Sequence, residues 1–564
     1  MMLFKQNFTA IGDNLALSAI VALIPILYFF WAMAFKRMKG HVAGLTTLGV
    51  ALVTAILAFK MPAGMAVMSA TQGAVYGILP IGWIIITSVF LYKLTVKTGQ
   101  FDIIRNSVLS ITEDRRIQAL LIAFSFGAFL EGAAGFGAPV AISAALLVGL
   151  GFNPLYAAGL CLIANTAPVA FGAIGIPITA VEGPTGIPAM EISKMVGRQL
   201  PFLSAFIPFY LIVIMAGFKK AMEILPAVLV SGVSFALTQY IASNFLGPEL
   251  PDVLSALVSL FAMVIFLKFW QPKTIYRFPA EQEMAATVAV KTSTSPQHYT
   301  SGQVFRAWSP FLVLTGSISL WGIPTFKLAL TGHYEGTNGI LKAINSLGNA
   351  LTFAPEVPFL NNKVINTDGT PIEAVYKLEI LGSAGTAILL AAIVTKFIVA
   401  ISWKNWMVTF GELLNELKYP ILTIGSVVGF AYVTNAAGMS TTLAMALAKT
   451  GAVLFPFFSP ILGWLGVFIT GSDTSANLLF GNLQKITATS IGMDPVLAVA
   501  ANSSGGVAGK MISPQSIAVA CAAVGLAGKE SNLFRFTIKH SIFLVVLVGI
   551  ITFLQNTVLT WMIP

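Results

Sequence analysis

Charge is scarce in this sequence. Only 10% of its 564 residues are Asp, Glu, Lys or Arg, where an ordinary soluble domain carries about 25%. So few charges cannot clothe a water-facing surface of this size, which excludes a soluble globular protein. Cysteine is scarce too. Cys161 and Cys521 both lie in apolar sequence with no CxxC spacing, which excludes a disulfide scaffold and a thiolate metal site. They read as small buried hydrophobes. The four histidines are scattered, and HExxH, GxSxG and Walker A patterns are missing. No enzyme class gains support from motif.

Hydrophobic residues, by contrast, make up 57% of the chain. Apolar stretches of ~20 residues, enough to cross ~30 Å of hydrocarbon, recur at 15–35, 42–59, 202–217, 252–270 and 541–563. Roughly twelve to fourteen membrane segments are expected. They are long and do not alternate, and backbone groups in lipid must be paired internally. Helices follow, not a barrel. The net charge of +10 suggests topology rather than nucleic acid, because cytoplasmic loops collect Lys and Arg. The short basic loop at Lys36, Arg37 and Lys39 places the N-terminus outside. The 15–35 stretch is too long for a signal peptide and lacks a cleavage site, so it reads as a retained span.

Two polar stretches, 271–304 and 331–376, read as loops on opposite sides. The chain also repeats itself. An offset of 339 lays Val89, Thr95, Gly99, Gly127, Phe129 and Gly132 on Val428, Thr434, Gly438, Gly466, Phe468 and Gly471. An offset of 341 lays Asn153-Pro154 on Asp494-Pro495, and one of 337 lays Asn165, Gly172, Pro177 and Arg198 on Asn502, Gly509, Pro514 and Arg535. The window 93–116 holds Lys93, Lys97, Arg105, Arg115 and Arg116, whereas its counterpart 432–455 holds only Lys449. If basic loops stay inside, the two copies enter from opposite sides, as in secondary transporters built from inverted repeats. The predicted organisation is N-terminal scaffold helices at 1–64, a first repeat at 65–218 with a hairpin at 117–151, connecting scaffold at 219–376, and a second repeat at 377–564 with a hairpin around 461–485.

The chemistry concentrates in four segments. Laid out as helix, 117–151 would be ~50 Å long, too long for one crossing and too short for two. Its centre, GAFLEGAAGFGAP, combines glycines, one carboxylate and a proline. A re-entrant hairpin with an irregular tip is the expected form, tolerated only where it is buried in protein or lines a wet cavity. A packing face of small residues is the alternative, but packing needs no Glu131. The counterpart around Asp473 sits among hydroxyls and amides, with a solvated loop as its alternative. The segments at Asn165–Gly172 in sequence and at 502–515 read as spans unwound near the midplane, with a Pro-kinked helix as the alternative. Lys510 is costly in such a segment unless paired or wet, or snorkelling to the interface.

GAFLEGAAGFGAPVAI at 127–142, YAAGLCLIANTAPVAFGAIGIP at 156–177, GWLGVFITGSDTSANLLF at 463–480 and GKMISPQSIAVACAAVGLAGKE at 509–530 resemble the bacterial lactate permease family over nearly the whole chain. Ser503 and Ala508 stand where some relatives would carry Thr. The resemblance implies an all-α polytopic inner-membrane carrier with scaffold and transport domains, paired hairpins and an elevator-like motion. It implies import of L-lactate, and also D-lactate and glycolate, by proton symport, with no cofactor beyond the coupling protons. A sodium-coupled carboxylate carrier is the main alternative, with a membrane-embedded transferase and a channel behind it. The substrate-binding candidates are Lys510, Asn165, Thr166, Asn502, Ser503, Ser513, Gln515, Ser472 and Thr474. Glu131 and Asp473 are the candidates for proton coupling. The expected partners are a small monocarboxylate and the lipid bilayer, with no nucleic acid, and a homodimer stays open.

Overall fold

The computed structural model describes residues 3–36, 38–109, 111–133, 135, 138–278, 299–366, 370–449, 451, 453–526 and 529–564. The described chain is built of helices, with only two-residue strands beside them. Among the described residues, eight helices are long and apolar enough to cross a membrane, and bent pairs raise that to 11. The expected twelve to fourteen segments are reached only by including shorter apolar helices such as Phe455–Thr470 and Met439–Ala448.

The first span, Leu15–Phe30, shows why these segments belong in lipid. Asn14 caps it, accepting from the Leu17 N–H at 3.1 Å. Ser18, Ala19 and Ala22 face the protein, while Leu17, Ile20, Ile24 and Leu27 point outward and exposed. Small residues inward and large apolar ones outward is the pattern of a helix packed in a bilayer. The last span begins at Glu530 and ends at Thr557, earlier than the apolar run at 541–563. Its first turns carry exposed Ser531, Asn532 and Arg535, and farther along His540 is buried, its Nδ1 2.6 Å from the Tyr210 hydroxyl.

The repeat is visible in the order and lengths of the helices. Gln100–Leu109 and Met439–Ala448 are both 10 residues long and lie 339 positions apart. Each is followed by a helical hairpin: Arg115–Ala133 with Ala138–Gly149, and Phe455–Thr470 with Asp473–Ile491. Each hairpin is followed by a helix with the same start. Asn153 caps Pro154–Ala164 by accepting from the Leu155 and Tyr156 N–H groups, and Asp494 caps Pro495–Lys510 by accepting from Val496 and Leu497. Proline at the first helical position costs no hydrogen bond there. A break then leads into Val169–Thr185 in one copy, bent by 64°, and into Pro514–Ala523 in the other.

The scaffold crosses itself at glycines. The 34-residue helix Trp403–Ala436 lies on Ala63–Tyr76 so closely that a Cβ on Gly73 would stand 2.8 Å from the Gly429 Cα, and one on Gly77 2.8 Å from the Gly425 Cα. Such contacts need small residues at the crossing.

The two ends of the bundle differ. The N-terminal strand Phe4–Lys5 pairs in parallel with Val364–Ile365, so the N-terminus lies on the face that carries the second polar stretch. That stretch is less irregular than expected: it contains the helix Gly339–Ala350 and the strand Thr352–Phe353, which pairs with Leu378–Glu379 just beyond it. The first polar stretch falls largely outside the described residues. At the opposite end, buried Arg116 anchors the base of the first hairpin. It contacts Asp114 and Glu223 at 2.7 Å each and donates to the Thr274 carbonyl at 2.9 Å. Lys220 and Arg116 together hold the Glu223 carboxyl below the usual carboxylate range. Lys93 pairs with Glu416, and Lys97 with Glu412 at 3.0 Å, on this same end.

These placements set a topology test. Lys97 and Thr489 are both exposed, near the entry of the first hairpin and the exit of the second. Single cysteines at the two positions should react with a membrane-impermeant maleimide from opposite sides, with little background because Cys161 and Cys521 are buried. Reaction of both from one side would rule out the inverted arrangement.

Candidate functional site

The four irregular segments converge. The first hairpin carries Glu131 two residues before its first arm ends at Ala133. The second turns at Gly471, which adopts a left-handed φ of +70°, and Ser472 then caps the next helix by accepting from the Ser475 N–H. That cap sets Asp473 in the first helical turn, where the N-terminal dipole favours an anion. The first broken span supplies Gly172, and the second ends its upper helix at Lys510.

Together they enclose a cavity of about 100 Å³, room for several waters or one small acid. Glu131, Asp473, Lys510, Gln515, Ser472 and Thr474 all line it. Six sequence-predicted residues are thus brought to one space, joined by Ser516, which sequence reasoning had not singled out. The Asp473 Oδ2 accepts from Ser503 Oγ at 2.6 Å and Asn477 Nδ2 at 3.3 Å. Among the described residues its Oδ1 has no hydrogen-bond partner, nor does Glu131 Oε2. Lys510 makes no ion pair among the described residues but lies within electrostatic reach of both carboxylates.

The other predicted residues stand behind this layer. Asn165 lies beside Glu131 and acts on its carboxyl, although among the described residues its amide nitrogen, like the Thr166 hydroxyl, has no partner in good hydrogen-bond geometry. Ser503 acts through Asp473. Asn502 donates to Asn477 Oδ1 at 2.9 Å and accepts from Gln484 at 3.2 Å. Ser513 caps the helix Pro514–Ala523 and bonds Ser516 at 2.8 Å. The polar groups of Asn502 and Ser513 are therefore engaged in holding the fold.

The second broken span corrects one expectation. Asn502 to Lys510 is not unwound but helical, and the break comes after Lys510. Its glycines serve packing instead: Gly505 and Gly509 press on the Pro460 and Trp464 backbones, and Gly506 on the Asp473 carboxylate. The first broken span does unwind, with Ala173, Ile174 and Gly175 all at positive φ. One carboxylate escaped sequence reasoning altogether. Asp252, near the start of the span Pro251–Phe269, is 1% exposed and within electrostatic reach of Glu131. In sequence it looked like the polar edge of an apolar run.

The cavity communicates with one end of the bundle. A vestibule of about 1430 Å³ shares Gly135, Ser472 and Gln515 with it and reaches His41, Lys93 and Glu416. On the other side a seam closes it. Asn477 donates to the Pro177 carbonyl at 3.0 Å, Lys485 to the Thr185 carbonyl at 2.6 Å, and Asn435 to the Pro184 carbonyl at 3.2 Å.

A polytopic helical protein with paired hairpins, broken spans and a buried charged cavity reached from one face has the architecture of a membrane transporter. A family profile described as L-lactate permease matches residues 18–559. The chain is 75% identical to an L-lactate permease of Bacillus subtilis strain 168, over the full length of both. It is 54% identical to a glycolate permease, GlcA, of Escherichia coli strain K12, again over the full length of both. The chain belongs to the L-lactate permease family, and it is not an enzyme. Among solved structures, the YdaH transporter of Alcanivorax borkumensis aligns at a TM-score of 0.33 and 13% identity, covering 80% of this chain and 87% of that one.

Gly172 offers a test of the geometry. Its backbone is extended at φ −63°, so alanine is not strained there. A Cβ would nevertheless stand 2.8 Å from Glu131 Oε1. Gly172→Ala should displace that carboxyl and lower transport by about tenfold or more, the equivalent of ~1.4 kcal/mol, while the purified protein stays monodisperse. Gly49→Ala, with nothing within 4 Å of the new atom, serves as the control. Equal transport by both variants would mean that Glu131 does not need its observed position.

Proposed function

We propose that the protein imports L-lactate, and also D-lactate and glycolate, together with protons across the bacterial cytoplasmic membrane. The vestibule end faces the cytoplasm and the N-terminus the periplasm, in keeping with the basic residues at 93–116. The names of the full-length relatives, L-lactate permease and glycolate permease, support the substrate class.

The observation that carries the coupling is charge balance. The cavity holds two carboxylates, Glu131 and Asp473, against one ammonium, Lys510. Water is limited there, and uncompensated charge in such a place is expensive. A substrate carboxylate adds a negative charge. A site that keeps its total charge constant must then take up one proton with each substrate anion. Electroneutral uptake also avoids the ~2.3 kcal/mol per 100 mV with which an inside-negative potential opposes a lone anion.

The residues divide this work. Lys510 is the charge-assisted partner for the substrate carboxylate, with Gln515, Ser472 and Thr474 supplying further donors. Asp473 has two donors on one oxygen and serves as the standing anion opposite Lys510. Glu131 accepts no well-formed hydrogen bond on Oε2, lies at the hairpin tip, and serves as the proton carrier. Asn165 backs that carboxyl from behind.

Reconstituted vesicles separate these roles. Lys510→Ala should abolish lactate binding. Glu131→Gln, which mimics the protonated acid, should still exchange labelled for unlabelled lactate but should not accumulate it on an imposed pH gradient. Normal accumulation by Glu131→Gln would move the proton to another group. Uptake that requires sodium and ignores the pH gradient would replace proton symport with sodium coupling.

A further inference from the structure

Asp252 has no part in the function so far described. It is 1% exposed, and neither carboxylate oxygen has a hydrogen-bond partner among the described residues. A buried carboxylate left in this state costs far more than an apolar side chain of similar size, so packing does not account for it. Its setting is built for close approach. Gly132, next to Glu131 in the first hairpin, would bring a Cβ to 2.8 Å from the Cβ of Asp252 and to 3.0 Å from the Val253 N. Only glycine lets the hairpin tip lie so near the start of this helix. Asp252 occupies the first turn of Pro251–Phe269, where the helix dipole tolerates a transient anion.

The charges around it are few. Glu131 acts on it from the hairpin. The adjoining helix Leu225–Phe245 carries no charged residue. On Val169–Thr185 the one acid, Glu182, acts instead on Glu249, as does Lys327. Lys510 acts on Glu131 from across the cavity. Asp252 itself does not line the cavity. It lies behind Glu131, next to the 246–250 connection, whose Pro248 carbonyl presses on Gly175. That connection ends the helix Leu225–Phe245, whose other end follows Glu223 at the Arg116 anchor. Asp252 therefore stands between Glu131 and the face opposite the vestibule.

We propose that Asp252 is the proton-relay partner of Glu131, passing protons between that carboxyl and the face opposite the vestibule. This rests on the proton-symport reading. A hydronium ion on that face gives its proton to an Asp252 oxygen, its own O–H bond breaking as the new one forms and a water molecule being left behind. The new bond breaks as the proton moves to Glu131 Oε2, and Asp252 is left as the anion until the next proton arrives. Two adjacent buried anions repel, and one proton shared between them removes the repulsion. The transfer leaves the charge of the pair unchanged. It also lets Glu131 load without a proton passing through the space that the substrate occupies.

The test uses the full-length protein in liposomes, with labelled lactate counterflow and pH-gradient-driven uptake measured on the same preparation. Asp252→Asn should lower the rate of gradient-driven uptake by about tenfold or more, and lactate-induced alkalinisation outside the vesicles should fall in parallel. Counterflow, which needs no net proton movement, should fall much less. Asp252→Glu should restore proton-coupled uptake, which a purely structural role for the shorter side chain would not allow. Gradient-driven uptake by Asp252→Asn at the wild-type level would overturn the proposal. So would a parallel loss of counterflow and uptake that Asp252→Glu fails to rescue. If wild-type protein itself ignores the pH gradient, the symport reading fails first, and the relay falls with it.

Discussion

One ammonium facing two buried carboxylates governs the rest of this structure. Lys510 would be costly at the end of a buried helix if it stood alone. Glu131 and Asp473 would each be costly without it. Yet none of the three is locked into an ion pair with another among the described residues. A tight buried pair would be hard to open for a substrate, since removing one partner from a closed pair leaves the other uncompensated. Lys510 is held at electrostatic distance from both acids, across a small cavity, which on the proposed reading leaves it available to an incoming carboxylate.

That arrangement depends on glycine at a few contacts. Gly172 admits the Glu131 carboxyl against the broken span, and Gly506 admits Asp473 against the helix that ends in Lys510. Gly463 and Gly505 let the second hairpin and that helix meet backbone to backbone, at Asn502 and Pro460. Bilayer helices gain little from the hydrophobic effect between themselves and associate through close packing and hydrogen bonds. The glycines therefore do two things at once: they hold the hairpins to the broken spans, and they set the distance between the charges.

Much of this was legible in the sequence, and the misses have physical causes. Hydrophobic runs marked the spans because lipid imposes a length on them. The repeat was legible because capping residues and prolines recur at fixed offsets, as Asn153-Pro154 and Asp494-Pro495 do. Glu131, Asp473 and Lys510 stood out because charge is rare in apolar sequence. Asn502 to Gly509 was misread as unwound, because a run of Gly and Ser weakens a helix by propensity while tertiary packing can still hold it, as it does against Pro460 and Trp464. Asp252 was missed because it opens an apolar run just after a proline, where an acid commonly serves a helix N-terminus. Nothing in one sequence says that this terminus is buried against Glu131.

The same charges bear on how the two faces alternate. The far-side seam consists of a handful of hydrogen bonds, from Asn477, Lys485 and Asn435 to carbonyls of the first broken span and from Asn482 to Asn435. Bonds of this kind contribute ~0.5–1.5 kcal/mol each, and up to ~3 for the charged Lys485. The exposed pairs of Lys93 and Lys97 at the vestibule end are worth at most ~1 kcal/mol each. On the proton-symport reading, net charge in the cavity also bears on when the protein switches. Closing the vestibule removes water from the site and raises the cost of any unbalanced charge within it. On that reading, a substrate anion without its proton doubles the one net negative charge that Glu131 and Asp473 leave against Lys510 in the empty cavity, which makes that closure unfavourable. The proton restores the charge of the empty site, so the anion crosses only in its company, and that restriction couples the substrate to the proton.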